Sequence, residues 1–142
     1  MSSPRLTLVT LGAKDIAAQR KFYETLGLKA SSASNESVCF FQLGGIVLGL
    51  FGLEALAEDA HMHVEEQKRF KGFSLAWNCG SEAEVDAAMK LAATCGGKIV
   101  KAAEKVFWGG YSGYFTDPEE NLWEVAHNPY FPFDDHGALV LP

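Results

Sequence analysis

The fold of this chain is decided by residues 108–129, which read WGGYSGYFTDPEENLWEVAHNP. The segment has the pattern of a strand, a tight turn and a second strand. Asp117 and Pro118 open the turn, because proline presets φ at the second turn position and an aspartate side chain accepts a hydrogen bond from the backbone two residues later. Asn121 tolerates the left-handed conformation and is therefore predicted to close the turn.

The strand after the turn carries the most informative residue of the sequence. Residues 122–127 alternate between two faces, and Trp123 and Val125 are predicted to pack under a helix. Glu124 lies on the opposite face, where its two neighbours along the strand are nonpolar. A carboxylate in this setting is a candidate functional group.

This hairpin resembles the C-terminal signature of the vicinal-oxygen-chelate superfamily, which includes glyoxalase I, bleomycin-resistance proteins and extradiol dioxygenases. In those proteins the last strand follows an Asp-Pro turn and carries a glutamate that binds a divalent metal. Glu124 matches that glutamate. The resemblance therefore implies that Glu124 lies in the functional site.

Composition excludes several classes of protein. The chain has 142 residues, of which 48% are hydrophobic and 21% charged, and this predicts one globular domain with a substantial core. A net charge of −6 argues against a nucleic-acid-binding surface. No nonpolar run reaches the ~20 residues of a membrane span, and the N-terminus lacks the nonpolar core of a signal peptide. Three widely spaced cysteines predict free thiols and a cytoplasmic location.

The chain repeats one order of elements. In chain order, the first set is a strand at 6–11, a helix between Asp15 and Gly27, a weak strand at 28–33, and strands at 38–43 and 46–51. A short helix at 53–59 and a charged loop follow. The second set is a strand at 73–78, a helix between Ser81 and Gly96, a strand at 98–102, and the two hairpin strands.

The predicted fold class is α+β. The repeated order is that of the superfamily's paired βαβββ modules, so the resemblance covers nearly the whole chain. It implies a single glyoxalase-like domain, residues 1–142, with modules at about 5–52 and 72–129 and a C-terminal arm at 130–142. The two modules are expected to form a cupped mixed sheet, an open barrel of the glyoxalase type.

The resemblance also implies where a metal would bind. In metal-dependent members, four ligands come from the first and last strands of the two modules. Carried over by motif order, these positions fall at Leu8, Gly49, Phe73 and Glu124. Only the last has a ligating side chain, whereas catalytic metal sites normally use three protein ligands plus water. We therefore expect no cofactor, and a nonpolar cavity in which these four residues contact a ligand.

Three roles remain open for Glu124. It can act as a general base in a nonpolar pocket. It can pair with a cationic or hydrogen-bond-donating ligand. It can also be structural, with its carboxylate satisfied by a tyrosine hydroxyl or by a backbone N–H of a neighbouring strand.

Aromatic side chains cluster around the glycines that precede the hairpin. Trp108 precedes Gly109 and Gly110, and together with Tyr111 and Tyr114 it is a candidate for stacking on a flat ligand, as aromatic side chains do in related drug-binding members. The alternative is that Trp108 packs against the edge of the core while the glycines permit a bend.

A divalent metal is the alternative to a metal-free site. His61 and His63 would place both imidazoles on one side of an extended segment, and Glu124 would join them as a ligand. The plainer interpretation is that both histidines are hydrated side chains of a loop.

Residues 130–142 are rich in proline and aromatic side chains, which predicts an extended arm rather than a helix. Tyr130, Phe131 and Phe133 are too nonpolar to remain in water, so we expect them to pack on the domain or on a partner subunit. In the superfamily, dimers complete the cavity at the subunit interface. The arm and the resemblance together imply a homodimer.

The sequence is compatible with three functions. The first, which we favour, is metal-free binding of a small, flat organic molecule in an aromatic-lined cavity, as in drug-sequestering proteins. The second is a metal-dependent lyase, isomerase or dioxygenase with an unusual set of ligands. The third is a structural or assembly role with a vestigial cavity. The sequence leaves the choice between binding and catalysis open.

Overall fold

A computed structural model describes residues 3–66 and 68–141 of the chain. The residues cluster into two compact units that divide after Glu66. We call residues up to Glu66 the first unit and the residues after it the second unit.

The first unit contains three strands and two helices. They are β1 (Leu8–Ala13), α1 (Ile16–Leu26), β2 (Val38–Leu43), β3 (Ile46–Gly52) and α2 (Leu53–Asp59). The central strand of its mixed sheet is β3, which runs parallel to β1 and antiparallel to β2. The predicted short helix at 53–59 is confirmed, and β1 begins two residues later than predicted.

Local sequence explains where α1 begins and ends. The side chain of Asp15 accepts a hydrogen bond from the Ala18 N–H at 3.0 Å, which satisfies a donor that the first helical turn leaves free. Gly27 ends the helix with a φ of 116°, a conformation that only glycine adopts without a steric cost. Between these caps, Tyr23 is fully buried and its ring lies 5.9 Å from that of Phe41 on β2.

The prediction of a weak strand at 28–33 is wrong, because these residues form no regular strand. The structure has an isolated bridge there, between Ala30 and Phe41. The Ser31 N–H still donates to the Phe40 carbonyl at 2.8 Å, but the Phe40 N–H donates to the Ser34 hydroxyl at 3.0 Å. A serine side chain therefore replaces a strand partner, as serine often does in turns.

The second unit is a complete βαβββ module. Its elements are β4 (Leu75–Asn78), α3 (Glu82–Thr94), β5 (Lys98–Lys105), β6 (Tyr111–Thr116) and β7 (Leu122–His127). The strand order is β4-β7-β6-β5, with β7 parallel to β4 and antiparallel to β6. The helix begins as predicted, since the Ser81 hydroxyl accepts a hydrogen bond from the Glu84 N–H at 3.1 Å.

The turn between β6 and β7 is fixed by a buried polar network. The Asp117 carboxylate accepts hydrogen bonds from the backbone N–H groups of Glu119 and Asn121, at 3.0 and 2.9 Å, and from the Asn121 side-chain amide at 2.9 Å. Lys71 donates to the Glu119 carbonyl and to Asn121 Oδ1. The left-handed residue is Glu120, with a φ of 65°, so the prediction that Asn121 takes this conformation is wrong. Asn121 contributes its side chain instead.

One face of the second sheet packs on α3. Phe115 and Val125 are buried there, and the ring of Trp123 stacks on Phe115 at 6.0 Å, which agrees with the prediction that Trp123 and Val125 lie under a helix. Gly113 shares this face, because a Cβ there would meet a methionine side chain of α3. Strand alternation therefore puts Glu124 on the face turned away from α3.

The C-terminal segment folds back on itself. Phe133 and Leu139 form an antiparallel bridge, and the Asp134 carboxylate accepts hydrogen bonds from the N–H groups of His136 and Ala138, at 2.8 and 2.9 Å. The described part of residues 130–142 contains no helix, as predicted, but the expectation of an extended arm is wrong. Asp134 causes the reversal, because its side chain satisfies the backbone donors of a turn.

The fold class is α+β, as predicted. The described strands form two mixed sheets of three and four strands with three helices, and none of these sheets closes into a barrel. No helix in the described ranges is long and nonpolar enough to cross a membrane. The three cysteines are free thiols; Cys39 and Cys79 are buried and Cys95 is half-buried.

Candidate functional site

Four side chains of the second sheet lie in one row across its strands. The register pairs Ala76 of β4 with Glu124 of β7, Glu124 with Tyr114 of β6, and Tyr114 with Lys101 of β5. Directly paired residues project from the same face of a sheet. We call these four residues the Glu124 row. It places a carboxylate, a phenol and an ammonium group on the face turned away from α3.

Tyr114 and Glu124 are joined by a hydrogen bond. The Tyr114 hydroxyl donates to Glu124 Oε2, with 3.3 Å between the two oxygens, and both residues are half-buried. Burial, followed by the charge and the hydrogen bond of Glu124, raises the pKa of Tyr114 above the ordinary value of 10.0. The phenol therefore stays protonated at neutral pH and acts as a donor.

Tyr111 lies on the other face of β6 and contacts α3. Its hydroxyl donates to Asp86 Oδ1 at 2.7 Å, and this hydrogen bond is the main reason that the pKa of Tyr111 is raised. Tyr111 and Tyr114 are three residues apart on one strand, so their side chains project in opposite directions. The structure does not bring these two candidate residues together.

Trp108 packs within its own loop. The connection between β5 and β6 is closed by a hydrogen bond from the Val106 N–H to the Gly110 carbonyl at 3.0 Å. The indole covers Gly110 so closely that a Cβ there would overlap the ring. Gly109 has a φ of 93°, and a Cβ there would lie 3.0 Å from the ring of Tyr130. The glycines thus permit close contact with two aromatic rings. This contact differs from both predicted roles of Trp108, which were stacking on a ligand and packing against the edge of the core.

Phe73 lies outside β4. The strand begins at Leu75, and the side chain of Phe73 is 42% exposed. The residue that the register places beside Glu124 is Ala76, which has only a methyl group. Two residues of this module were predicted to contact a ligand. The structure places Glu124 in the row, whereas Phe73 precedes β4 and lies outside the row.

Leu8 and Gly49 lie together in the first unit. A Cβ at Gly49 would be 3.5 Å from the side chain of Leu8 and 3.5 Å from the ring of Phe40. Gly49 is the Cα partner of Phe40 across β2 and β3, and of Thr10 across β1 and β3. The three residues Leu8, Phe40 and Gly49 form a nonpolar patch without a ligating side-chain atom.

The order of the elements, the Asp-Pro turn and the glutamate on the last strand agree with the family resemblance. The sequence model of the Glyoxalase/Bleomycin resistance protein/Dioxygenase superfamily matches residues 5–125. The chain belongs to this superfamily. No curated protein sequence matches it.

Solved structures of the glyoxalase type share the fold. A glyoxalase-related enzyme from Fulvimarina pelagi is 30% identical, with 96% of this chain and 97% of that chain covered and a TM-score of 0.87. A glyoxalase/bleomycin resistance protein/dioxygenase from Nocardioides is 24% identical, with 89% and 85% covered and a TM-score of 0.76. Lactoylglutathione lyase from Agrobacterium tumefaciens is 21% identical, with 90% and 96% covered and a TM-score of 0.69. The last two structures are less than 25% identical to this chain, so they show only that the fold is shared.

The part of the chain that the structure describes does not fit a divalent metal ion. Among the described residues, no group of three His, Cys, Asp or Glu side chains is arranged to hold an ion. In its row, Glu124 is accompanied by a methyl group, a phenol and an ammonium group, and none of these is among the usual protein ligands of a divalent metal ion. His61 and His63 are exposed beyond the end of α2.

A groove of about 620 Å³ lies elsewhere in the second unit, beside α3 and the C-terminal segment. Its walls include Trp77, Cys79 and Phe133 and are mostly nonpolar. Trp77 pairs with Val125, which packs on α3, so this side chain belongs to the face opposite the Glu124 row. The groove has the volume of a ligand site but contains none of the residues predicted from the sequence to bind a ligand or a metal.

The sequence did not indicate that Lys101 and Ala76 lie beside the candidate residues. Lys101 lies in a predicted strand, but the pairing of β5 with β6 is irregular between Ile99 and Lys101 and again between Lys101 and Glu104. Such irregularities break the simple alternation from which a face is predicted. Ala76 carries no chemical signal, and only the register places it beside Glu124.

Proposed function

We propose that this member of the superfamily binds a small, flat organic molecule bearing a cation or a hydrogen-bond donor, and that Glu124 accepts this group without a bound metal. The observation that carries the proposal is the Glu124 carboxylate, half-buried on a central strand of the second sheet. An ionised carboxylate has about four acceptor positions. The Tyr114 hydroxyl supplies one donor at 3.3 Å, which leaves acceptor positions for a ligand.

The surroundings of Glu124 favour a flat, nonpolar ligand body. Ala76 is small enough to leave space on one side of the carboxylate, and the ring of Tyr114 offers an aromatic surface on the other. Leu122 lies on the same face of β7, two residues before Glu124. Partial burial strengthens a hydrogen bond between the carboxylate and a cationic donor, because less water competes for both groups.

We further propose that the protein acts as a homodimer whose subunit interface completes the ligand site around Glu124. The superfamily resemblance is one support for this proposal. The other is the nonpolar surface of the C-terminal segment, where Tyr130, Val140 and Leu141 are all exposed. Exposed nonpolar side chains that are close in sequence are typical of a surface that a partner covers.

Thermal unfolding with and without ligand tests the role of Glu124. We would use benzylamine and benzamidine as flat cations and benzyl alcohol as a neutral donor, with wild type and Glu124→Gln. A ligand at ten times its dissociation constant stabilises the folded state by about 1.4 kcal/mol, which raises the melting temperature by roughly 3–5 °C. We expect this shift for the cations with wild type, and its loss in Glu124→Gln, which keeps the side-chain size and removes the charge.

Glu36→Gln is the matched control, because Glu36 is exposed in a loop of the first unit and the substitution removes the same charge. It should keep the full shift. The proposal is wrong if none of the probes stabilises wild type, or if Glu124→Gln responds as wild type does. Stabilisation of wild type by Zn²⁺ or Mn²⁺ alone, abolished in Glu124→Gln, would instead favour the metal-dependent alternative.

A further inference from the structure

The β5 edge of the second sheet places positive charge on the face that carries Glu124. Lys101 belongs to the Glu124 row, and Lys98 pairs with Thr116, so it projects from the same face. Lys101 Nζ lies 3.3 Å from Glu104 Oε1. The face therefore carries a carboxylate on a central strand and, along one edge, two ammonium groups together with the Glu104 carboxylate.

We propose that the ligand of the Glu124 row is a small zwitterion, whose amine binds Glu124 and whose carboxylate or other anionic group binds Lys101. This inference rests on the proposed function and adds an acidic group to the ligand. Adjacent strands are ~4.8 Å apart, so the backbones of β5 and β7 are separated by about 10 Å. One aromatic ring with an amine and a carboxylate on opposite ends suits that separation.

Tyr114 lies between the two charges and suits the middle of such a ligand. It is the Cα partner of both Lys101 and Glu124. Its hydroxyl is directed at the carboxylate, because it donates to Glu124 Oε2. The remainder of the ring offers a flat nonpolar surface, on which an aromatic ligand stacks. The row thus has a donor-binding end, an aromatic middle and an anion-binding end.

The ion pair between Lys101 and Glu104 does not prevent this use of Lys101. The two side chains are 49% and 59% exposed, and ion pairs at such exposure contribute little to stability. The lysine ammonium has three donors on a flexible stem, so it can turn to a ligand carboxylate. Glu104 then returns to water. The gain in affinity is accordingly modest, and it falls as salt concentration rises.

Three related compounds separate the two ends of the site. Benzylamine carries the amine alone, 4-methylbenzoate carries the carboxylate alone, and 4-(aminomethyl)benzoate carries both on one ring. Isothermal titration calorimetry would measure their dissociation constants with wild type, Lys101→Met and Lys105→Met. Lys105 is the matched control, because it is on the same strand but pairs with Tyr111 on the α3 face.

We expect wild type to bind 4-(aminomethyl)benzoate about fivefold more tightly than benzylamine, the effect of one exposed ion pair. Lys101→Met should lose this preference while it still binds benzylamine, and Lys105→Met should keep it. A preference that survives in Lys101→Met, or that falls equally in Lys105→Met, overturns the inference.

Failure of the inference is distinct from failure of the proposed function. If benzylamine binds wild type and Glu124→Gln abolishes that binding, the proposed function holds, and a missing preference for the zwitterion overturns only the role of Lys101. If benzylamine does not bind wild type, the proposed function itself is wrong, and the inference is overturned with it.

Discussion

Two tyrosines of β6 have raised pKa values for different physical reasons. The pKa of Tyr111 is raised chiefly by its hydrogen bond to Asp86 on α3. The pKa of Tyr114 is raised chiefly by burial, and then by the charge and hydrogen bond of Glu124. Tyr111 therefore links the sheet to its helix, whereas Tyr114 belongs to the candidate site. The role of each tyrosine is decided by its face of the strand.

The pKa of Tyr114 should fall in Glu124→Gln. The substitution removes a negative charge that disfavours the phenolate, while burial keeps the pKa above 10.0. A spectrophotometric titration of phenolate absorbance measures the change, and Tyr114→Phe identifies the transition. Asp86→Asn is the control, because it should lower the pKa of Tyr111 and leave that of Tyr114 in place.

The same shift has a consequence for stability at high pH. The folded chain holds the Tyr114 proton more tightly than the unfolded chain does. This contribution to stability is therefore complete below about pH 10 and is lost as the pH rises through the raised pKa. Alkaline unfolding of Glu124→Gln should accordingly depend less steeply on pH than that of wild type. If stability depends on pH identically in the two proteins, Glu124 is not a cause of the raised pKa of Tyr114.

At the scale of elements, the turn between β6 and β7 sets the position of Glu124. Asp117 is buried and accepts three hydrogen bonds within the turn. Lys71, which precedes β4, donates to the same turn. One network therefore holds the start of β7 and the approach to β4, and these two strands bring Ala76 beside Glu124.

Asp117→Ala should destabilise the fold by about 2–3 kcal/mol, because it leaves buried donors of Asn121 without an acceptor. Chemical denaturation measures the change as a lower midpoint with an unchanged slope. Asp135→Ala is the matched control, since Asp135 is exposed near the C-terminus, and it should change the free energy of unfolding by less than about 0.5 kcal/mol. Equal stability of Asp117→Ala and wild type would show that the network contributes nothing measurable.

For the whole molecule, the proposed homodimer is the next level of organisation. The C-terminal segment turns at Asp134 and carries exposed nonpolar side chains on the described residues that follow. Leu141 is 69% exposed and Val140 is 44% exposed. In the proposed dimer a partner subunit covers these side chains, which contributes the hydrophobic part of the association free energy.

Size-exclusion chromatography with light scattering should give twice the mass of the chain. Leu141→Asp should shift the mass toward that of one chain at low protein concentration, because it would place a charge in the interface. Met62→Asp is the control, since Met62 is equally exposed but lies in the loop after α2 of the first unit. A monomeric wild type over the whole concentration range would refute the dimer.

Much of the fold could be predicted because its signals are local. The caps at Asp15, Gly27 and Ser81 fixed helix limits, and the Asp-Pro turn fixed the final hairpin. Strand alternation correctly predicted that Val125 faces a helix. The predictions of a strand at 28–33 and of an extended C-terminal arm were wrong because side chains replaced backbone hydrogen-bond partners there. Ser34 interrupts the weak strand, and Asp134 turns the C-terminal segment.

The sequence by itself determined the fold class and the position of Glu124 on the last strand, because these depend on turn chemistry and periodicity within short segments. The superfamily followed from the resemblance of the final hairpin to a family signature, and the family model matches residues 5–125. Only the tertiary structure decided what surrounds Glu124. Irregular pairing brings Lys101 into its row, and the packing of α3 gives Tyr111, on the other face, its hydrogen-bond partner Asp86. Ala76 lies beside Glu124 although the two residues are far apart in the sequence. Such neighbours depend on strand register, which is set by the packing of the whole unit rather than by any single segment.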